Sequence, residues 1–552
     1  MSLFDPQKVP FSTHQSFLCL SFLDGALWLR NLRGGDEHTD MGRMLRVEVL
    51  ENGTPCAPEW ALTPGALTAR LGTATLAFSF DGTERIVLHA QGLGLRLSSG
   101  ASKYDYAQAA ATHTHISLAR QDLRCDVACQ KGTLTLDAPW TGLAAEHITL
   151  DLTPDAGTLS ASLDIYRVTP TKRPLTPQPQ AAQTAQAAYE AFRAALPACG
   201  PEHAQGHALA SYIIWSNYVP AEGALSRPAV YMSKNWMTNI WSWDHCFVAL
   251  SLPPPLAWDQ MAVIFQAQHP SGRLPDYLND RYALWAFTKP PVHGWTFAKL
   301  NPPQRRLVLH WLRLQADNWL NGPQWNGLPA YRHGNDAGWD NATPFAEGAP
   351  VVTPDLATFL ILQLDEIARL HDLLGEPAAA QSARDEADAL TQRLCTHLWT
   401  GEHFTARLLD GREVQAQHSL LLLLPLLLGP RLTSTMRAKL LKRLKDGGFL
   451  TIHGLATEAP TSPLYRANGY WRGPIWAPTT LLMIDALDRN GEAALADDIA
   501  ARYLTLCQKN GMAENHDALT GEGLHDPAFA WTSAVYLILA AHSHQACRLS
   551  ST

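Results

Sequence analysis

The sequence predicts a mainly α protein in which an (α/α)6 barrel follows an antiparallel β-sandwich-like domain. Three observations carry this. Through about residue 168, apolar and polar residues alternate in short runs separated by turn residues. From about residue 206, apolar residues recur at helical spacing instead. Between the two regimes lies a proline-rich stretch, TPTKRPLTPQPQ.

The first region, residues 1–168, reads as strands. Arg43 to Leu50 alternates, with Leu45, Val47 and Val49 on one face, and Glu51-Asn52-Gly53 follows as a hairpin turn. Thr75 to Leu88 holds two short runs around Asp81-Gly82. Thr133 to Leu136, Ile148 to Leu152 and Leu159 to Tyr166 repeat the pattern. Many short strands with close turns suit a sandwich. Residues 169–205 read as a linker with a helix. Proline removes backbone donors and favours extended chain over residues 169–180, and Ala181 to Leu196 is alanine-rich and helical.

The third region, residues 206–552, is helical. Pro354 fits the first turn of a helix that runs to Leu374 and stops at Gly375; Arg384 to Trp399 is its expected antiparallel partner. Met436 to Leu444, Pro478 to Leu487, Ala494 to Cys507 and Phe529 to Ala541 continue the series. The most apolar run, Leu420 to Leu428, is too short to cross a bilayer and is interrupted by Pro425, so it reads as a buried core helix. Paired helices joined alternately by short turns and long tryptophan-rich loops suit an α/α barrel, with the long loops around a pocket at one end. No short-period repeat points to an open solenoid.

Composition narrows the chemistry. Of 552 residues 46% are hydrophobic and 17% charged, enough for a large core and too little charge for a disordered chain. A net charge of -8 offers no basic face to nucleic acid or an anionic membrane, so neither is an expected partner. The start, MSLFDPQKVP, lacks a basic segment followed by an apolar run, so no signal peptide is expected. The nine cysteines are scattered, and Cys125 and Cys129 have no second pair at zinc spacing. They read as reduced cysteines of a cytoplasmic protein. The 18 tryptophans concentrate in Gly/Pro/Asn-rich loops. Aromatic faces stack on the C–H faces of sugars, which points to a carbohydrate; plain core packing is the competing account.

Four segments place Trp, Asp or Glu, Asn and Gly in a short loop beside an apolar helix. In Asn239 to His245, an extended chain would point Trp241 and Trp243 the same way as one wall of a sugar site, with Asp244 accepting from sugar hydroxyls. Asp244 also fits a helix N-cap among core tryptophans. In Gly334 to Asn341, Asp340 follows Trp339, and poor solvation beside an indole raises a carboxyl pKa. That is the condition for protonating a glycosidic oxygen. Asp336 competes for the role, and a capping turn would explain either. Tyr465 to Trp476, YRANGYWRGPIW, offers Tyr470, Trp471 and Trp476 as faces and Arg472 as a cationic fork. In Ala513 to Leu524, AENHDALTGEGL, Glu514 could take a proton from water, with Glu522 as its competitor.

In this combination and order, WSWD, GWDN, YWRGPIW and ENHDALTGEG resemble the bacterial α/α-barrel hydrolases of glycoside hydrolase family 63. They are also similar to the related mannosylglycerate and glucosylglycerate hydrolases, whose wider clan includes trehalases. The resemblance covers roughly residues 206–545. It implies an inverting exo-glycosidase that removes an α-linked terminal sugar, glucose first, from a small glucoside or oligosaccharide. Asp340 stands at the place of the family's acid and Glu514 at that of its base. Trp243, Asp244, Tyr470, Trp471 and Trp476 match residues around the terminal sugar, and Arg472, Trp241, Trp339, Asn341 and Asn515 lie in the same loops. Asp276 to Asn279, with Tyr277, and Lys289 to His293 look like further loops near the pocket. Lys289 is a departure, since related sequences often carry Gln before this Pro-Pro. No segment matches a glycerate carboxylate.

Inversion needs the two carboxyl groups roughly 6.5–9.5 Å apart, with room for a water. It needs no metal and no cofactor, and the histidines form no HExxH-like cluster. Two other classes fit less of the pattern. An α/α-barrel sugar epimerase or isomerase would use central histidines, for which His333, His453 and His516 are the candidates. A non-catalytic carbohydrate-binding protein would not need both carboxylates.

Overall fold

The computed structural model describes residues 4–35, 40–171 and 173–550, with side chains through residue 543. Met1 to Leu3 at the chain start, and Lys172 of the proline-rich stretch, lie outside the described residues. Two compact units form: Met1–Ala195 with Ser211–Pro220 and Ser233–Thr238, and Leu196–Ala210 with Ala221–Met232 and Asn239–Thr552.

The first unit is built on two antiparallel sheets. Its strands are β1 (Leu18–Leu23), β2 (Ala26–Asn31), β3 (Arg43–Glu51), β4 (Thr54–Pro55), β5 (Glu59–Leu62), β6 (Leu67–Leu71), β7 (Ala74–Phe80), β8 (Arg85–Gln91), β9 (Gly94–Ser99), β10 (Tyr106–Ala109), β11 (Thr114–Leu118), β12 (Leu123–Lys131), β13 (Thr133–Asp137), β14 (Ile148–Thr153) and β15 (Thr158–Tyr166). One sheet runs β1-β2-β3-β9-β14-β13 with β4 on β3, and the other β10-β11-β12-β15-β8-β7-β6-β5. The register brings Val47 opposite Leu97 and Leu97 opposite Leu150, so the predicted face of β3 meets apolar partners and is buried. Asn52 and Gly53 both take positive φ, as the β3–β4 hairpin requires. Helix α1 (Gln178–Ala195) lies against β7 and β8 with Ala181, Ala185 and Tyr189 buried, the Tyr189 ring edge-on to Trp215 at 5.8 Å. A Cβ on Gly65 would sit 2.3 Å from the Ala182 carbonyl oxygen, so this glycine permits the helix to come close.

The second unit is helical. Its central helix, Pro354–Leu373, is buried on nearly every face from Pro354 to Leu370, which marks it as interior rather than amphipathic. It begins with Pro354 after an extended Thr353, and Gly375 at φ 76° closes it. Pro377–His397 packs along it as the sequence predicts. Ser434–Asp446, Ala477–Arg489, Ala493–Asn510 and Ala530–Ser550 follow at the expected places.

Two expectations are corrected. The chain is mixed rather than mainly α, because the first unit is a full two-sheet domain and short strand pairs recur in the second. Leu420–Arg431 is buried as expected but winds as 3-10 turns, not as an α-helix. Pro425 and Pro430 supply no N–H, and Gly429 leaves helical geometry at φ 50°, ψ -122°. Among the described residues, no helix is long and apolar enough to cross a membrane.

Candidate active site

Short strand pairs and turns of the second unit gather the predicted segments. Ile240–Trp241 pairs with Tyr277–Leu278, placing Trp241 opposite Tyr277 with ring centroids 5.3 Å apart. Ile475–Trp476 pairs with Asn515–His516, and the latter with Gly523–Leu524, which brings the YWRGPIW loop beside Glu514. Asn341 ties the GWDN loop to the same place. It accepts from the Trp471 N–H at 3.0 Å, donates to the Gly469 carbonyl at 3.1 Å, and its own carbonyl accepts from Arg472 Nε at 2.6 Å.

An indole cluster joins these loops. Trp471 stacks on Trp476 at 4.0 Å and 5°, lies 5.0 Å from Trp339 and 6.1 Å from Trp243, and Trp531 meets Trp476 edge-on at 5.3 Å. Stacked and T-shaped pairs of this kind hold rings in fixed orientations. Gly338, at φ 69°, allows the Asp340 loop close to this cluster, because a Cβ there would sit 2.5 Å from the Trp243 ring.

Around Lys289 and Tyr470 lie four acids, Asp244, Asp276, Asp340 and Glu514. Lys289 Nζ lies 3.0 Å from Asp276 Oδ1 and 4.0 Å from Asp340 Oδ1. It also donates to the Asn335 carbonyl at 2.9 Å and, more closely, to Asn335 Oδ1. Asn335 Nδ2 donates to Asp276 Oδ2 at 3.0 Å. Tyr470 donates its hydroxyl to Glu514 Oε1 at 3.0 Å, with Tyr470 itself at φ 60°, a left-handed backbone that a tyrosine adopts only under surrounding constraint. The Glu514 backbone is clamped: its N–H donates to the Asp526 carbonyl at 2.7 Å and its carbonyl accepts from Trp531 Nε1 at 3.1 Å.

Burial dominates the electrostatics. Glu514 is pushed up to about 8, first by desolvation and then by Asp526; the Tyr470 hydrogen bond opposes this and the Asp340 charge adds to it. Asp340 is raised by desolvation, with Lys289 pulling it down and Asp276 pushing it up. Its side chain keeps 36% of its surface open although the carboxyl sits deep among protein atoms. Asp244 is held well above the carboxylate range by desolvation, against Lys289 and with Asp276 and Asp340. Lys289 is raised: burial acts against its charge, but Asp340, Asp276 and Asp244 outweigh it. Asp244 Oδ2 and Asp340 Oδ1 are buried without a hydrogen bond from the protein. Buried acceptors left unpaired in one place suit a ligand that brings hydroxyl donors.

The competitors are placed elsewhere. Asp336 is a structural acid that accepts from the Thr288 N–H at 3.0 Å and the Arg332 N–H at 3.2 Å. Glu522 is exposed. His333 caps the Gly334–Ala337 turn by accepting from the Asn335 N–H, and the fully buried His516 faces the Gly511 carbonyl at 3.2 Å.

Several expected contacts lie one layer behind the surface. Trp243 leaves extended geometry at φ -98°, ψ -29° to start the helix Asp244–Leu250 and joins the buried indoles, so it does not share a wall with the half-exposed Trp241. His293 is fully buried, with Nε2 on the Ser242 carbonyl at 2.8 Å and Nδ1 on Gln315 at 3.0 Å, so both nitrogens are spent internally. Trp339, Trp476 and Asn515 show no exposed surface and Trp471 almost none, which makes them supports. Tyr277, Asp244, Lys289 and Glu514 are nearly buried, while Tyr470, Arg472 and Trp241 are half-buried and Asn341 exposed. Asp526 and Trp531 escaped the sequence reading. HDPAFAW carries no local mark of their contacts with Glu514, which arise only through space.

Comparison with known proteins gives a consistent result. A family model described as the mannosylglycerate hydrolase MGH1-like glycoside hydrolase domain matches residues 237–532, which include all four segments. The chain is 31% identical over 183 residues to the mannosylglycerate hydrolase of Rubrobacter radiotolerans, covering 31% of this chain and 40% of that one. It spans 20% to 40% of the length of the first curated relatives it matches. The GH63 mannosylglycerate hydrolase of Thermus thermophilus, solved with glucose, is 22% identical at a TM-score of 0.51 over 59% of this chain and 98% of that one. A bacterial glucoamylase complexed with acarbose is 12% identical at a TM-score of 0.59 over 98% of this chain and 94% of that one. These two likenesses establish shared fold.

Proposed function

Since the chain belongs to the family of mannosylglycerate hydrolase MGH1-like glycoside hydrolase domains, we propose that it is an inverting, exo-acting O-glycosidase with Asp340 as acid and Glu514 as base. The helices of the second unit form its (α/α)6 barrel in this reading. The substrate is a small glycoside or oligosaccharide with an α-linked terminal hexose, glucose first and mannose as the variant that the family description favours. The supporting observation is that Asp340 and Glu514 come from separate loops to one buried cluster, in which Tyr470 donates to Glu514 at 3.0 Å and burial, Asp526 and then the Asp340 charge raise Glu514.

In the reaction, protonated Asp340 gives its proton to the glycosidic oxygen as the anomeric C–O bond breaks. Ionised Glu514 takes a proton from a water whose oxygen bonds to the anomeric carbon from the opposite face. An α-glycoside thus yields a β-hexose and a free alcohol, and the two carboxyls exchange protonation states. Desolvation suits the acid by favouring its neutral form. Tyr470 occupies Glu514 Oε1 and leaves Oε2 for the water. Asp244 Oδ2 is available to sugar hydroxyls, and Tyr470 and Trp241 offer aromatic surface.

The test is a screen of α-linked disaccharides and of glucosyl- and mannosyl-glycerate, with proton NMR of fresh product. Wild-type protein should release the β-anomer, and Asp340→Asn and Glu514→Gln should each lose about 10²–10⁴-fold in kcat. A retained configuration would remove the inverting mechanism. Epimers formed from free sugars without hydrolysis would select the epimerase class instead.

A further inference from the structure

We propose that Lys289 is a positioning residue for the acid, holding the Asp340 loop and carboxyl in place through Asn335 and Asp276 rather than touching the sugar. This deepens the glycosidase reading and rests on it. The geometry is closed on the lysine's side. Its ammonium donates to the Asn335 carbonyl and Asn335 Oδ1 and stands 3.0 Å from Asp276 Oδ1 as an ion pair, so it is directed at protein acceptors. Its side chain is 5% exposed. Asn335 lies in the 3-10 turn Gly334–Ala337 that leads into Asp340, so the ammonium fixes the acid's loop at its base.

Asp276, the other anchor, is tied in turn. Its carbonyl accepts from the Ser242 N–H at 3.0 Å, and its Oδ2 accepts from Asn335. Lys289 and the side chains of Asp276 and Asn335 thus link the Asp276 to Lys289 and Asn335 to Asp340 loops, and the backbone bond from Ser242 to Asp276 ties in Trp241 to Asp244. The ammonium stands directly beside the acid, 4.0 Å from Asp340 Oδ1. Its charge meets Asp276, Asp340 and Asp244, and Asp336 from the far side of the turn. Asp340 also feels His333, and Glu514 and Tyr470 feel Asp340 across the site. Removing the ammonium leaves those acids without their main counter-charge, so the Asp340 carboxyl becomes more basic and a weaker proton donor.

A residue that works through the acid matters only when the leaving group needs a proton. Lys289→Gln keeps polar contacts to Asn335 and Asp276 without the charge, Lys289→Met removes both, and Lys289→Arg keeps the charge. Each is compared with wild type on the α-linked substrate found in the screen and on the matching α-glycosyl fluoride, whose fluoride leaves with little help. Thermal melting checks folding. The expected result is a fall in kcat of about tenfold or more on the natural linkage for Lys289→Gln and Lys289→Met. Fluoride turnover should stay within about threefold, KM should barely change, and the pH limb governed by Asp340 should move upward. Lys289→Arg should recover part of the loss. Equal losses on both substrates, or a fixed limb, would overturn the proposal in favour of a structural lysine. Asp340→Asn on the same pair tests the parent reading separately: if it fails to spare the fluoride, the acid assignment fails whatever Lys289 does.

Discussion

Replacing Tyr470 with phenylalanine removes one hydroxyl and leaves its ring held by Trp476 and His525. That hydroxyl donates to Glu514 Oε1 over 3.0 Å and stabilises the ionised carboxylate. Desolvation and Asp526 have already pushed Glu514 up to about 8. A hydrogen bond to a charged group contributes about 1.5–3 kcal/mol, and about 1.36 kcal/mol is one pKa unit, so its loss moves the carboxyl roughly 1–2 units further up. In the proposed mechanism Glu514 works as base only when ionised, so whatever raises its pKa removes the working form near neutral pH. In Tyr470→Phe, kcat/KM at about pH 7 should therefore fall roughly 10–100-fold, and the limb governed by Glu514, near pH 8, should move upward by the same 1–2 units. The assay is a full pH profile of kcat/KM on the substrate identified by the anomer screen. A uniform loss with no movement of the limb would refute the reasoning, because it would mean that the hydroxyl serves the sugar or the fold rather than Glu514.

Two further outcomes concern stability. Trp471→Ala removes a buried ring stacked on Trp476 and packed on Trp339, and should cost about 3–5 kcal/mol, seen as a lowered denaturation midpoint; Trp471→Phe should recover much of it. Asp355, buried at the start of the central helix and accepting from the Tyr331 hydroxyl at 3.0 Å, is pushed up to about 6 by burial. The folded state thus holds that proton more tightly than the unfolded chain does. The contribution is full below the unfolded value of 3.8 and is lost as pH rises to about 6, a change of about 3 kcal/mol. Asp355→Asn should flatten the denaturation midpoint across that interval, and an unchanged slope would place the titration elsewhere.

Much of this protein was legible before any coordinates. Period-two alternation in Arg43 to Leu50 and helical recurrence in Pro354 to Leu374 report which side of an element is buried, and that information is local. The order of the WSWD, GWDN, YWRGPIW and ENHDALTGEG segments pointed to the candidate loops, and with them to Asp340 and Glu514. What surrounds the residues there was decided by neighbours far away in the chain. Trp243 turned inward because a helix starts at Asp244, and His293 was spent on Ser242 and Gln315. Asp336 was separated from Asp340 by the two backbone N–H groups it serves. Lys289, in sequence only an odd residue before two prolines, became the counter-charge of an acid cluster. Burial lifts Glu514, and Asp526 adds to it. Periodicity encodes facing because burial of apolar surface repeats along the chain. Ionisation is set by desolvation and by charges a few ångströms away through space, and those distances exist only once the loops have met.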